Sequence, residues 1–302
     1  MRKRLCGALA LLMIWTGVLA GVFGSGFANP LLAGALAEGF EEEELDVEEL
    51  DGLPESVDVG DPLWDFPVAI EDMNPEYIIL ANKHYLLDKD YVPADLVKVP
   101  NDPKKGGIKW AGSGSDGKLK GWYLREECAQ ALCDMNAVMK EIEGFQTMYL
   151  KSAYRSWGKQ NTMYKNRLKK NNGKDDGWVS MAGASDHQTG LGCDVIPYNW
   201  TKKSGMNEKM MQEKECQWMA AHCQEFGFII RYPADKKEFT EINTEPWHLR
   251  YVGKPVAEYI MGYGLCLEEF TQQLQQAIEK YIAAGGDPAK VEAFIQKSTD
   301  GE

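Results

Sequence analysis

Apolar residues recur at helical spacing in several stretches of this 302-residue chain. Ala129, Leu132, Met135, Met139 and Ile142 predict a helix over about 124–142. Trp157, Asn161, Tyr164 and Leu168 predict one face of a second helix over about 157–168. Met211, Trp218, Met219, His222 and Phe226 stripe a third over about 207–225, and 255–262 reads as a short fourth. Leu267, Phe270, Leu274, Ile278 and Tyr281 define a tail helix that Gly285-Gly286 ends. Asp287-Pro288 is a cap followed by a first-turn proline, which predicts a last short helix. The narrow, regular stripe of the tail points it at the core.

Between these lie short β-branched and aromatic runs at 77–80, 148–153, 193–196, 228–232 and 247–252, read as strands. The 62–110 stretch is otherwise irregular and proline-punctuated, 112–117 reads as a loop, and 169–177 as a polar loop bordering a site. Helices interleave with short strands without a βαβ repeat. That predicts an α+β fold: a small, mostly antiparallel sheet with flanking helices and a cleft on the sheet for a site.

The N-terminus departs from this pattern. Arg2-Lys3-Arg4 precedes an uncharged run from Leu5 to Phe23, the layout of an exported chain's signal peptide or of an uncleaved membrane anchor. From Glu38 to Asp61 there are twelve acids and no base, so most of the net charge of −13 sits in one segment. Such a stretch stays solvated and extended by self-repulsion. The expected layout is a signal or anchor over 1–28, an acidic tether over 29–61, a folded domain over 62–265 that carries the chemistry, and a C-terminal helical extension over 266–302. Everything after the apolar run is expected outside the cytoplasmic membrane, with membrane contact only through that run. No basic patch points to nucleic acid, and a monomer is expected. Cys128, Cys133, Cys193, Cys216, Cys223 and Cys266 permit disulfides in an exported protein but also fit buried thiols. Cys216 and Cys223 lie too far apart on a helix to bond each other.

The chemistry concentrates in two stretches. Over 183–194, His187 and Asp194 are seven apart in a Gly-rich loop running into a strand; over 244–253, Glu245 and His248 are three apart. Two imidazoles and a carboxylate fill three of zinc's four tetrahedral positions and leave one for water, and a second carboxylate beside that position can take the water's proton. Three ligands with a spare carboxylate fit a catalytic rather than a structural zinc site. Of the other histidines, His84 has no partner at ligand spacing, and His222 falls on the apolar helix face, as a core histidine does.

Ser185-Asp186-His187-Gln188-Thr189-Gly190-Leu191-Gly192-Cys193-Asp194 resembles the S-x-H-x-x-G-x-A-x-D motif of VanY-like D-alanyl-D-alanine carboxypeptidases and their dipeptidase relatives. Glu245-Pro246-Trp247-His248 is similar to the family's E-x-W-H, and Ser152-Ala153-Tyr154-Arg155-Ser156 with Gln160 to its Y-R-S…Q segment. The 80–83 and 91–96 stretches are also similar to the family's N-terminal part, so the likeness covers about 77–262. Gly192 stands where the family usually has Ala, and Ala182 where Pro often precedes the Gly. The resemblance implies one zinc ion on His187, Asp194 and His248, with Glu245 as general base. It also implies Arg155 facing the scissile carbonyl, and Ser185, Tyr154 and Gln160 on the substrate side or behind it. The implied reaction is removal of the C-terminal D-alanine from peptidoglycan stem peptides. L,D-carboxypeptidase action on tetrapeptide stems, free dipeptide hydrolysis, and a non-catalytic zinc-containing wall-binding module are the alternatives.

Overall fold

The computed structural model describes residues 60–203 and 205–300. The apolar N-terminal run and nearly all of the acidic segment lie outside the described residues. In chain order the strands and helices are β1 (Leu96–Lys98), β2 (Lys109–Trp110), β3 (Ser115–Asp116), β4 (Leu119–Lys120), β5 (Tyr123–Arg125), α1 (Glu126–Lys140), β6 (Tyr149–Ser152) and α2 (Trp157–Lys170). Then follow β7 (Gly192–Ile196), α3 (Lys214–His222), β8 (Phe228–Tyr232), α4 (Lys237–Thr240), β9 (Glu245–Tyr251), α5 (Lys254–Gly262) and α6 (Leu267–Ala283).

The main sheet has five strands in the order β2-β6-β7-β9-β8. Only β2–β6 is parallel; the other pairs are antiparallel. The expected α+β architecture is therefore present. β7 is buried at every position, as suits a central strand covered on both faces. One layer of core joins Leu132, Met135 and Met139 of α1 to Leu150, Val195 and Leu249 of the sheet, with Cys216 and Met219 of α3. A second layer sets Phe270, Leu274 and Ile278 of α6 against Ile229, Ile260 and Ile78. The α6 stripe is thus spent inside the body of the protein.

Three expectations change. Tyr77–Leu80 is not a strand, because its backbone groups bond side chains instead of a neighbouring strand. Arg250 donates to the carbonyls of Tyr77 and Ile79, Gln296 donates to that of Ile78, and the Leu80 N–H donates to Gln296. The 112–117 loop contains half of a small hairpin, β3–β4. The long helix over 207–225 is broken: a 3-10 turn at Glu208–Gln212 and α3 meet at Glu213, whose backbone is extended. Trp200 and Asn199 donate to the Glu213 carboxylate and hold it there.

All six cysteines among the described residues are buried and unbonded. Burial pushes their thiols up, to about 11 for Cys133 and about 12 for Cys216, Cys223 and Cys266. Native protein at pH 8 is therefore expected to resist alkylation at these six positions and to react at all of them once unfolded. Mapping the label by peptide mass checks this, and a disulfide or a fast native reaction at any position would contradict it.

Candidate active site

The cleft lies on the central strands. Asp194 of β7 pairs directly with His248 of β9, so the two side chains share a face and meet across the ladder. His187 arrives from the 3-10 turn Asp186–Thr189, which ends at Gly190 in the left-handed region, φ 71°. The turn reverses the chain into β7 and sets His187 over Asp194.

His187 Nε2 is 3.5 Å from Asp194 Oδ2, and His248 Nδ1 is 3.3 Å from Asp194 Oδ1. One ligand atom from each of the three lies within 4.8 Å of the others. Tetrahedral ligands at zinc's usual bond lengths sit about 3.4 Å apart. Asp194 Oδ1 is buried without a hydrogen-bond partner, which leaves a lone pair for a cation. The Ala153 carbonyl accepts a hydrogen bond from His187 Nδ1–H at 2.8 Å, so Nε2 presents its lone pair. On the structure's own geometry the set fits a divalent metal.

Glu245 needs more than strand periodicity to reach this face, since a spacing of three puts side chains on opposite faces. Tyr232 pairs with Glu245 and Ile230 with Leu249, so β9 spends four steps where β8 spends two. Pro246, which has no N–H to give, sits in that irregularity. The Glu245 carboxylate lies 3.4 Å from His248 Nδ1. A second bulge, between Leu150 and Ser152 on β6, places Ser152 to receive Arg155 Nη2 at 2.9 Å, while Gln160 Oε1 receives Nη1 at 2.7 Å.

The cavity has a volume of 420 Å³ and is lined by His187, Asp194, His248, Glu245, Arg155, Gln160 and Ser185. Trp178 and Trp247, nearly parallel at 9°, wall one side. The Ser185 side chain precedes the 3-10 turn but makes no capping bond, which leaves its hydroxyl for the cleft. Of the two places open to it, Tyr154 takes the one behind the substrate side: it is buried and does not line the cavity, while its backbone N–H bonds the Tyr123 carbonyl. His222 is not a core residue. Its ring is partly exposed at the end of α3, stacked on Trp218 and bonded to Glu225. His84 pairs on the surface with Asp300 and Glu241.

Burial pushes the Glu245 carboxyl up, partly offset by His248. Burial and the nearby Arg155 charge pull His187 down to about 4. Burial opposes charge on His248, but the Asp194 and Glu245 carboxylates, which accept from its ring and attract its charge, outweigh it and hold the imidazolium up to about 9. Both values are for the metal-free site. There, the His187 contribution to stability is present above about 6.5, the ordinary histidine value, and lost as pH falls to about 4. The His248 contribution is present below about 6.5 and lost as pH rises through about 9. Calorimetry of metal-free protein is expected to show a melting temperature that falls on both sides of this middle range. A monotonic profile would contradict it.

A buried charge cluster lies beside His248 that no local sequence pattern signals. Asp186 carries no exposed side-chain surface and pairs with Arg231 at 2.7 Å and with Arg250, while Arg231 also pairs with Glu268 of α6. A buried carboxylate of this kind needs partners from distant elements, which local spacing does not reveal.

A two-histidine, one-aspartate cleft with a spare glutamate and an inward arginine on a small antiparallel sheet is the layout of a metallopeptidase. Residues 121–254 match the family model described as VanY: D-alanyl-D-alanine carboxypeptidase. The putative carboxypeptidase YodJ of Bacillus subtilis (strain 168) is 35% identical over 207 residues, covering 67% of this chain and 70% of that protein. The bifunctional D-Ala-D-Ala dipeptidase and carboxypeptidase VanXYC of Enterococcus gallinarum is 29% identical over 206 residues, 67% of this chain and 97% of its own length. Among solved structures, the LdcB LD-carboxypeptidase superimposes with a TM-score of 0.56 at 35% identity, over 66% of this chain and 87% of LdcB. The chain belongs to the VanY-like D-alanyl-D-alanine carboxypeptidase family and is a peptidase of the carboxypeptidase type. Among the described residues, no helix is long and apolar enough to cross a membrane.

Proposed function

We propose that this protein is a zinc-dependent D,D-carboxypeptidase that removes the C-terminal D-alanine from peptidoglycan stem peptides. The observation that supports it most is the convergence of His187, Asp194 and His248, with Glu245 at 3.4 Å from His248 and Arg155 in the same cavity. Those three residues would hold one zinc ion, which supplies Lewis-acid activation of water and carbonyl when bound. Glu245 takes the proton of the attacking water and returns it to the leaving amine; its raised affinity for a proton suits both halves of that task. Arg155, fixed by Gln160 and Ser152, donates to the oxygen that gains negative charge in the tetrahedral transition state. Ser185 offers its hydroxyl to the substrate, and Trp178 and Trp247 keep bulk water from the cleft's wall.

The likeness to LdcB favours a second reading, L,D-carboxypeptidase action on tetrapeptide stems. Residues 1–28 would direct export or anchor the chain, and the acidic 29–61 stretch would serve as a spacer that lets the domain reach wall substrate. Deleting 38–61 tests the spacer: unchanged activity on intact wall would remove it from the account. For the reaction itself, full-length protein is incubated with pentapeptide and tetrapeptide stems, with and without chelator, and products are read by mass spectrometry. Chelator-sensitive loss of one D-alanine from the pentapeptide is the expected result. Cleavage of the tetrapeptide alone moves the assignment to the L,D linkage. Cleavage of neither, with zinc bound, leaves a wall-binding module.

A further inference from the structure

We infer that Asp186 is a positioning residue for His248, and that Glu268 of α6 is the outer member of the same relay; this rests on the proposed zinc site. The relay runs inward from the tail helix. Glu268 accepts two hydrogen bonds from Arg231, at 2.7 and 2.8 Å. Arg231 Nε lies 2.7 Å from Asp186 Oδ2. Arg250 donates to Asp186 Oδ1 and uses its other donors on the carbonyls of Tyr77, Ile79 and Tyr251. Two carboxylates and two guanidiniums balance in charge, so the cluster is not itself short of a counter-ion.

What it leaves open is one contact. His248 Nε2 is 3.9 Å from Asp186 Oδ2. His248 Nε2 is buried without a hydrogen-bond partner, and Asp186 Oδ2, ion-paired with Arg231 Nε, accepts no well-aligned hydrogen bond. Nδ1, on the other side of the ring, faces Asp194 and Glu245. An imidazole that offers Nδ1 to a metal carries its proton on Nε2, and that proton needs an acceptor. Closing the gap by roughly 1 Å supplies one. The Tyr232 ring, edge-on to His248 at 4.9 Å, confines the imidazole to that plane.

Gly192 makes room for the arrangement. A Cβ at 192 would lie 2.8 Å from the Asp186 Cβ and 2.9 Å from its carbonyl carbon. The glycine that replaces the family's usual alanine therefore lets Asp186 sit directly on β7, on the same face as Asp194 and beside the candidate metal site. A cluster that only stabilised the fold would not require the carboxylate to face the one unpartnered nitrogen of a candidate ligand.

The test is zinc affinity, measured by competition with a chromophoric chelator on full-length protein stripped of metal. Asp186→Asn is expected to weaken zinc binding about 10- to 100-fold, with kcat falling more than KM rises. Glu268→Gln, which touches neither metal nor substrate, is expected to weaken it several-fold, and Glu268→Asp to recover part of that loss. A merely structural cluster would shift the melting temperature of these variants and leave the zinc affinity of the folded protein within twofold of wild type; that result overturns the inference. If Asp186→Asn does not fold, the Glu268 pair decides on the same criterion. Failure of the wild-type protein to bind zinc would instead sink the proposed metal site and leave this cluster a structural one.

Discussion

Glu245→Gln is expected to lower kcat about a thousandfold while zinc remains bound. General-base contributions of 10²–10⁴ set that scale. The substitution keeps the shape and the hydrogen-bonding reach of the side chain but removes the site that takes a proton. Glutamine cannot accept the water's proton, so attack must proceed from neutral water and the amine must leave without an acid. The proposed ligands His187, Asp194 and His248 are untouched, and Glu245 is not among the three residues whose ligand atoms converge. Metal analysis of the purified variant should therefore give the same zinc content as wild type. Loss of zinc together with activity would reassign Glu245 as a ligand, and a variant with more than a tenth of wild-type kcat would remove it as the base.

Arg155→Ala is expected to cost about 10²–10³ in kcat, the scale of losing one donor to a developing oxyanion. The guanidinium is held by Gln160 on one side and Ser152 on the other, so little reorganisation is left for the transition state. Arg155→Lys should recover little: one ammonium cannot satisfy both fixed acceptors and still reach the substrate. Gln160→Ala should fall between wild type and Arg155→Ala, because it frees the guanidinium without removing it. Steady-state kinetics on the stem peptide that the wild type cleaves checks all three. A loss confined to KM would mean that Arg155 binds ground-state substrate, through a free carboxylate, instead of the reacting carbonyl.

The metal-site trio could be named from residue types and motif likeness, but its convergence could not. Asp194 and His248 meet because β7 and β9 pair in one register out of several, and nothing local to either stretch fixes that register. Glu245 is harder still. A spacing of three on a strand argues against sharing a face with His248, and only the irregularity around Pro246 reconciles them. Helices carried the clearest signal: α1, α2 and α6 fall close to where their apolar spacing puts them. Local pattern misleads where hydrogen bonds to side chains elsewhere in the chain decide the backbone's course. Arg250 and Gln296 turn an apolar run at 77–80 away from strand pairing, and Glu213 interrupts a helix that periodicity would continue. Tyr154 stands beside Arg155 in the motif yet faces away from the cavity, a reminder that neighbours in extended chain point to opposite sides. Asp186 sat in plain view inside the motif. Its partners Arg231 and Arg250 lie 45 and 64 positions further along the chain, and Glu268, which pairs with Arg231, lies 82 positions further.

The six unbonded thiols bear on how the chain reaches its folded state. No covalent cross-link stands between the unfolded and folded forms of the described residues, so folding calls on no disulfide catalyst and no oxidant. The same body can form in a reducing or an anoxic setting. In an oxidising one, the unfolded chain would expose six competing sulfurs, and speed of burial alone would keep them from mispairing.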